Sequence, residues 1–362
     1  MFDYPTRVER LQRMMTARDV DAVLLTAGPD MPYFTGYEAM PLERITALII
    51  AAAGTPSLFV PSLEAPRVSS GEFEIVPWKE TDDPVGMISR RLTGMARIAV
   101  GESMWSAFLL AFQENLPDVH DWTIATTLTR ELRMRKDPGE IDRLRRAAES
   151  TDRVLSRIPR EVKFEQRSQQ AVAADLARMI VEEGHDRAWF TIVASGPDSA
   201  SPHHETGSRV LERGDMVVCD FGGTIDGYHS DVTRTFVVGS PSARQREVHS
   251  LVAAANEAGR AAIKPGVSCA AVDRAARDVI EEGGLGEYFI HRTGHGIGLE
   301  GHEHPYIVEG NELALEPGMT FSIEPGIYIP GEFGVRIEDI VACGSDSVDG
   351  FNSAPRDLIS VG

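Results

Sequence analysis

The sequence predicts an α/β protein with two domains, the second of which contains an internal repeat. Helical and strand-like segments alternate over about 130 residues at the start of the chain, which is typical of an α/β domain. The chain changes character at residues 131–154, where a charged helical stretch begins at Pro138, behind Asp137 as a candidate N-cap. We therefore predict a smaller domain over residues 1–132 and a larger one over residues 133–362.

The first domain has one clear helix and several candidate strands. Apolar residues share one face over residues 7–18, which predicts the helix. Runs of apolar and β-branched residues predict strands at 20–25, 45–52, 57–60, 75–78 and 97–100. The domain contains a single histidine and no phosphate-binding loop, which favours an accessory or oligomerisation role. The alternative is that a loop such as residues 33–44 helps to close a site in the second domain.

Composition excludes several classes of function. The hydrophobic content of 42% and the charged content of 25% are typical of a soluble globular protein. The formal net charge of -19 argues against nucleic acid and against an anionic membrane surface as partners. The longest apolar run, near residues 45–53, is too short to span a bilayer.

Two further features predict a cytoplasmic protein. The opening residues MFDYPTRVER lack the basic and then apolar layout of a signal peptide. Cys219, Cys269 and Cys343 lack the spacing of a metal site. We expect these cysteines to be reduced thiols in a reducing compartment.

The second domain contains a faint internal repeat. The segment ARMIVEEG at residues 177–184 resembles ARDVIEEG at 276–283, and both end a predicted helix at a glycine. The segment LERGDMVVCD at 211–220 resembles LEPGMTFSIE at 315–324. In each of these, an acidic residue ends an apolar run, so the repeat predicts two related hairpins.

The first hairpin, residues 217–238, brings two acids together. It has strand composition on both sides of a glycine-rich turn. Symmetric folding about a midpoint between Ile225 and Asp226 places Asp220 opposite Asp231. Such a pair repels by about 3 kcal/mol at roughly 5 Å and an effective dielectric constant of about 20. A protonated acid, a bound cation or a solvated loop would each relieve this repulsion.

The second hairpin repeats the arrangement. A turn centred on Gly331 places Glu324 opposite Glu338. Two facing acid pairs in repeat-related positions are difficult to attribute to solvated loops. They favour a bound cation.

The donor set predicts the metal and the class of reaction. Eight of the ten histidines lie between residues 203 and 304, so an imidazole is available beside the acids. Four carboxylates balance the charge of two divalent ions. Oxygen donors with one imidazole favour Mn²⁺ or a similar ion, such as Co²⁺ or Fe²⁺, over structural Zn²⁺ or Ca²⁺. Two such ions hold a bridging water, lower its pKa and clamp a substrate carbonyl, which predicts metal-assisted hydrolysis.

The motifs of the second domain resemble those of the dinuclear metallopeptidases with the pita-bread fold. This family includes prolidase, aminopeptidase P and methionine aminopeptidase, with creatinase as a metal-free relative. The matching motifs are VVCDFGG, HSDVTRT, HRTGHGIGLEGHEHP, FSIEPGIYIP and GVRIEDIV. The first domain resembles, more weakly, the N-terminal domain of prolidase, aminopeptidase P and creatinase, which methionine aminopeptidases lack. The resemblance implies a pita-bread catalytic domain with a pseudo-twofold repeat over residues 133–362.

The resemblance also implies the metal ligands. Asp231 and Glu338 match the residues that bridge both ions. Asp220 matches a residue that completes the shell of one ion, and His295 and Glu324 match those that complete the shell of the other. Glu324 also matches the acid that carries the proton of the bridging water to the leaving nitrogen.

Further residues match positions around the substrate. His203, His291 and His302 correspond to histidines that contact substrate or stabilise the tetrahedral intermediate, and His203 is preferred over its neighbour by register. Tyr228 and Arg336 match positions that lie behind the ligands or face the substrate. The alternative for Arg336 is an ion pair with the acids.

The resemblance implies an Xaa-Pro dipeptidase that acts as a homodimer with two divalent ions per chain. The bond before proline is a tertiary amide with no N–H, so its hydrolysis needs a dedicated enzyme. One alternative is aminopeptidase P, which acts on longer Xaa-Pro peptides. Others are a non-peptide C–N hydrolase of the creatinase or ectoine hydrolase kind and a catalytically inactive binding protein.

Overall fold

A computed structural model gives the fold and describes residues 2–69 and 71–362. The chain divides into two compact units, the first ending at Arg133 and the second running from Met134 to Gly362. In the described ranges, no helix is long and apolar enough to cross a membrane.

The first unit contains a six-stranded mixed sheet with strand order β4-β3-β2-β1-β5-β6. Its strands are β1 (Ala22–Thr26), β2 (Ala47–Ala51), β3 (Ser57–Pro61), β4 (Glu74–Trp78), β5 (Arg97–Val100) and β6 (Asp121–Ile124). Its helices are α1 (Tyr4–Ala17), α2 (Asp30–Thr35), α3 (Pro84–Leu92), α4 (Ser106–Asn115) and α5 (Thr126–Arg133), with a short 3₁₀ turn at Ala65–Arg67. The sheet and helices confirm the predicted α/β class.

The five strands predicted for this unit are present, and each end lies within two residues of the prediction. The helix predicted over residues 7–18 begins earlier, because Asp3 caps it and Pro5 occupies its first turn. Strand β6 was not predicted. It lies at the edge of the sheet and is only half-buried, so it lacks the apolar run of a central strand.

The second unit contains two five-stranded sheets and a two-stranded ladder. The strands are β7 (Arg187–Ser195), β8 (Met216–Ile225), β9 (Tyr228–His229), β10 (Val232–Val238), β11 (Gly294–Gly296), β12 (Glu303–Ile307), β13 (Thr320–Ile323), β14 (Gly326–Ile329), β15 (Phe333–Arg336), β16 (Asp339–Cys343), β17 (Val348–Gly350) and β18 (Ile359–Val361). The helices are α6 (Pro138–Glu161), α7 (Gln169–Glu182), α8 (Ala243–Ala261) and α9 (Cys269–Glu282), with 3₁₀ turns at Gly196–Ala200 and Gly286–Tyr288.

The two halves of this unit are built alike. Helix α7 is capped by Ser168 and α9 by Ser268, in the same way in each repeat. Ser168 also forms a β-bridge with Val210, and Ser268 forms one with Ala314. The correspondence of caps and bridges confirms the repeat predicted from the sequence.

Strand β8 separates an apolar core from the acidic side of the sheet. Val217, Cys219 and Phe221 belong to a buried cluster with the apolar residues of α6 and α7. Successive side chains on a strand alternate between its faces, so Asp220 points away from this core. Cys219 is buried and unpaired, as are the other two cysteines.

The register of the first hairpin differs from the prediction. Asp220 pairs with Thr233, so the predicted pairing with Asp231 is wrong. The turn lies at Asp226 and Gly227, which have positive φ angles of 51° and 80°. A two-residue hairpin loop of this kind requires positive φ at both positions, which moves the centre one residue along the chain. The pairing shifts by two residues, so both acids remain on one face.

The register of the second hairpin confirms the prediction. Gly326 pairs with Arg336, and Gly331 has a positive φ of 77° at the turn. Glu324 and Glu338 therefore lie opposite each other. The two halves meet at the same point, because Thr233 of the first hairpin bridges Glu338 of the second.

We predict that His249 of α8 makes stability depend on pH. Burial lowers the pKa of its imidazole to about 4, and Asp357 opposes this effect. The folded pKa lies below the unfolded value of about 6.5, so stability is complete above that pH and falls as the pH decreases toward 4. This group alone accounts for a loss of roughly 2 kcal/mol between pH 7 and 4.5.

Urea unfolding of the wild type and of His249→Gln over this pH range measures the effect. The free energy of unfolding is plotted against pH for each protein. The difference between the two slopes isolates His249, because the other titrating groups are common to both proteins. His120→Gln, at an exposed position, is the matched control. Identical pH slopes for wild type and His249→Gln would contradict burial of a neutral imidazole.

Candidate metal centre

The two hairpins and the segment between them bring acids and imidazoles to one place. Three groups of side chains have potential ligand atoms that all lie within 4.8 Å of one another. The groups are Asp220–Asp231–Glu338, His295–Glu324–Glu338 and Asp231–His295–His302. Asp231, Glu338 and His295 each belong to two of the three groups.

His295 presents a free nitrogen lone pair to the acids. Its backbone N–H donates to Ser322 Oγ at 3.0 Å, and its Nδ1 donates to the Gly296 carbonyl at 3.1 Å. The hydrogen-bond partner of Nδ1 assigns the tautomer and leaves Nε2 unprotonated. Nε2 lies 3.4 Å from Glu324 Oε1 and 3.8 Å from Asp231 Oδ2. Burial, followed by the neighbouring His302, lowers the pKa of this imidazole to about 3, so it is a neutral ligand at pH 7.

Asp220 and Glu338 each accept a side-chain hydrogen bond through one carboxylate oxygen, and the second oxygen of each is left without a donor. Arg336 Nη2 donates to Asp220 Oδ2 at 2.5 Å, and Thr233 Oγ1 donates to Glu338 Oε2 at 2.7 Å. Asp220 Oδ1, Glu338 Oε1 and Asp231 Oδ1 are buried without a hydrogen-bond donor. Buried acceptors of this kind are costly, and a cation would satisfy all three.

The electrostatics of the acids lead to the same conclusion. Burial, followed by the charge of Glu338, raises the pKa of Asp231 far above its usual range. Burial also raises the pKa of Glu338, with Glu324 as the next cause. The pKa of Glu324 is raised to about 7 by burial, although Arg336 opposes the shift. One guanidinium cannot neutralise four clustered carboxylates, so the residues present fit divalent ions.

Arg336 starts a hydrogen-bonded chain that leads away from the acids. Its Nη1 donates to the Tyr328 hydroxyl at 2.8 Å, and this hydroxyl lies 2.9 Å from His291 Nε2. His291 Nδ1 donates to the Arg292 carbonyl at 2.7 Å, so Nε2 accepts the tyrosine proton. Both nitrogens of His291 are therefore occupied. Burial lowers the pKa of His291 to about 3, with Arg336 as the next cause.

Tyr328 was not predicted as a site residue, although it lies four residues after Glu324 in the motif FSIEPGIYIP. Its position beside a metal-ligand motif was the available signal. For Arg336, the structure shows the ion pair with Asp220 that was considered as an alternative.

A cavity of about 560 Å³ opens over the acids. The predicted residues His203, His291 and His302 all lie in its wall. His204 is directed elsewhere, and its Nε2 lies 2.9 Å from Gln169 Oε1. Arg292 and an apolar surface complete the wall, and neither was predicted. The apolar surface consists of Trp189, Phe190, Ile192 and Pro202.

Tyr228 does not line this cavity in the described part of the chain, so of its two predicted placements the structure disfavours the one that faces the substrate. Its hydroxyl donates to Glu140 Oε1 of α6 at 3.0 Å. The alternation of side chains along a strand explains this orientation, because Tyr228 lies three residues before Asp231. Tyr228 pairs with Ile225 and projects to the face of the sheet opposite Asp231.

Gly301 makes room for one part of the apolar wall. A Cβ atom at Gly301 would overlap Cη2 of the Trp189 indole. The indole also packs edge-on against His229, with ring centres 4.7 Å apart. The absence of a side chain at Gly301 therefore determines where Trp189 lies.

A centre of four carboxylates and one imidazole under a substrate-sized cavity defines a metal-dependent hydrolase. Residues 142–345 match the model of metallopeptidase family M24, and residues 7–135 match that of the creatinase/prolidase N-terminal domain. The chain belongs to metallopeptidase family M24. It is therefore an enzyme, and its family implies divalent metal ions as cofactors.

Individual relatives agree over the whole length. The chain is 44% identical to the probable dipeptidase PepE of Mycobacterium tuberculosis, with 99% of this chain and 98% of that protein covered. A prolidase structure from Thermococcus sibiricus has 35% identity and a TM-score of 0.95, with both chains fully covered. An X-Pro aminopeptidase structure from Thermotoga maritima has 31% identity and a TM-score of 0.87, covering 98% and 99%. These likenesses confirm the pita-bread fold with its creatinase-type N-terminal domain.

We predict that the acids contribute unequally to metal binding. Asp231→Ala and Glu338→Ala should each empty both metal positions, because each removed carboxylate belongs to two of the ligand groups. Asp220→Ala should spare one ion. The metal content of purified, Mn²⁺-loaded protein measures this difference, with the exposed Glu247→Ala as control. Equal metal content in the three site variants would contradict the bridging assignment.

We also predict that Gly301→Ala displaces Trp189. The overlap should cost roughly 1 kcal/mol of stability and expose the indole, because overpacking forces neighbours to move. Melting temperature and tryptophan emission report the two effects. In a Trp189→Phe background the same substitution should have a smaller effect, since the overlapping atom is gone. An equal loss in both backgrounds would refute the proposed contact.

Proposed function

We propose that the chain is an Xaa-Pro dipeptidase that hydrolyses the peptide bond before proline. The observation that carries this proposal is the carboxylate and imidazole cluster at the base of a cavity with an apolar wall. It is supported by the likeness to a dipeptidase and a prolidase over nearly the whole chain. We place this activity in the cytoplasm and in a homodimer.

Five residues would hold two ions in this proposal. Asp231 and Glu338 would be shared between the ions, Asp220 would serve one of them, and His295 and Glu324 would serve the other. The oxygen-rich donor set with one imidazole favours Mn²⁺, with Co²⁺ as an alternative. When bound, two such ions activate a water molecule and polarise the scissile carbonyl.

Glu324 is the residue that moves the proton. Ser322 Oγ donates to its Oε1 at 3.2 Å and orients the carboxylate toward His295. In the proposed reaction, Glu324 accepts the proton of the attacking water. It then delivers this proton to the ring nitrogen of the departing proline, which cannot leave as an anion.

The cavity wall supplies the remaining functions. Trp189, Phe190 and Ile192 offer an apolar surface for the pyrrolidine ring. His203 and His302 are placed to donate to the oxyanion of the tetrahedral intermediate. His291 has no free nitrogen, so its role is to position the Arg292 backbone and Tyr328.

Aminopeptidase P activity is the second candidate, and the likeness to an X-Pro aminopeptidase favours it. Both activities use the same ligands and the same acid. They differ in what lies beyond the proline. A dipeptidase must recognise a carboxylate there, whereas an aminopeptidase must leave room for a continuing chain.

We predict that Mn²⁺-loaded protein cleaves Ala-Pro with higher kcat/KM than Ala-Pro-Ala and does not cleave Ala-Ala. Release of free alanine, followed over time, measures cleavage of all three peptides. Asp231→Ala is the negative control, since it removes an acid from two ligand groups. Cleavage of the tripeptide alone would assign aminopeptidase P activity instead. An unchanged rate after complete removal of metal would overturn both candidates.

A further inference from the structure

The cavity contains a positive charge that forms no direct ion pair with the acidic cluster in the described part of the chain. Two guanidinium groups line the cavity, those of Arg292 and Arg336. Arg336 is buried, and its nitrogens donate to Asp220, Thr233 and Tyr328. Its ion pair with Asp220 therefore commits its charge to the acidic side of the site.

Arg292 has no carboxylate partner. Its Nη2 lies 3.4 Å from His302 Nδ1, and its Cζ lies 4.4 Å from the centre of the Tyr306 ring. Over residues 2–69 and 71–362, no ion pair within 4.0 Å involves this guanidinium. The aromatic ring stabilises the cation without neutralising it. A half-buried guanidinium in a cavity wall that forms no ion pair within 4.0 Å in the described residues is suited to bind an anionic part of a ligand.

The backbone at the base of Arg292 is held firmly. The His291 carbonyl accepts from Arg277 Nη2 at 3.0 Å, and the Arg292 carbonyl accepts from His291 Nδ1 at 2.7 Å. The Thr293 N–H donates to Asp273 Oδ1 at 3.1 Å. These bonds fix where the Arg292 side chain begins, which reduces the entropy lost when it binds a ligand.

Arg292 also lies at the right distance from the reacting bond. In an Xaa-Pro dipeptide, the terminal carboxylate is three bonds from the scissile carbonyl carbon, or about 3–4 Å away. A cation that binds this carboxylate must therefore lie beside the metal ligands. Arg292 contacts His302, whose ring centre lies 3.8 Å from that of His295. One side chain thus separates the guanidinium from the acidic cluster.

We propose that Arg292 binds the C-terminal carboxylate of the substrate and thereby makes the enzyme prefer dipeptides to longer peptides. This proposal rests on the proposed Xaa-Pro dipeptidase function. In a longer peptide the same carbon belongs to a neutral amide. The amide cannot form the charged, two-pronged pair that a guanidinium makes with a carboxylate.

The test compares a charged and a neutral substrate in wild type and Arg292→Gln, both loaded with Mn²⁺. For Ala-Pro, the substitution should raise KM about 10- to 100-fold and change kcat little, as expected for a lost charged hydrogen bond. For Ala-prolinamide, whose terminal carboxylate is replaced by an amide, KM should be the same in both proteins. Arg292→Lys should recover part of the affinity for Ala-Pro.

Binding without turnover gives a second readout. Proline should raise the melting temperature of the wild type more than prolinamide does, and Arg292→Gln should abolish this difference. This measurement tests whether Arg292 binds the carboxylate even if Ala-prolinamide is cleaved too slowly for kinetics. Arg244→Gln, an exposed arginine on α8 paired with Glu247, is the matched control for loss of charge.

The outcomes separate the two proposals. Wild type that fails to cleave Ala-Pro overturns the proposed function, and the role of Arg292 with it. If wild type cleaves Ala-Pro, then unchanged kinetics in Arg292→Gln overturn the carboxylate assignment alone. Equal losses on both substrates, with no difference between proline and prolinamide, would show that Arg292 is merely structural.

Discussion

Repulsion among buried carboxylates is the constraint around which the second unit is organised. Ligand oxygens of Asp220, Asp231 and Glu338 lie within 4.8 Å of one another, where each charged pair costs about 3–4 kcal/mol at an effective dielectric constant of about 20. Arg336 and Thr233 each hold one oxygen of an acid and leave its partner oxygen free. Such a cluster is stable only with protons or cations present, so metal binding and folding stability are coupled.

The internal repeat creates this cluster from two parts that are each incomplete. Each half contributes a hairpin with two acids, and neither hairpin alone can surround an ion. The halves join at the acids themselves, through the β-bridge between Thr233 and Glu338. The Arg234 side chain strengthens the junction, because its Nη1 donates to the Glu338 carbonyl and its Nη2 pairs with buried Asp339. The acids of the candidate metal centre therefore lie on backbone that is held from both halves.

Around the acids, the cavity divides into regions of different chemistry. The chain from Arg336 through Tyr328 to His291 occupies donors and acceptors that would otherwise face the substrate. Trp189, in space left by Gly301, belongs to the apolar wall. Arg292 remains as a cation without a carboxylate partner. A small zwitterion with an apolar ring matches this distribution of charge better than a long neutral chain does.

The sequence by itself determined the two-domain α/β class, the repeat, and the acids and histidines that carry the chemistry. Those features depend on local periodicity, turn residues and motif spacing, which follow directly from the order of residues in the sequence. It misplaced the pairing of Asp220, because the turn centre lies one residue further along the chain than symmetric folding predicts. Only the tertiary structure decided which oxygens lack donors and which guanidinium is free. These properties belong to side chains from distant segments, and no local pattern specifies how such side chains meet.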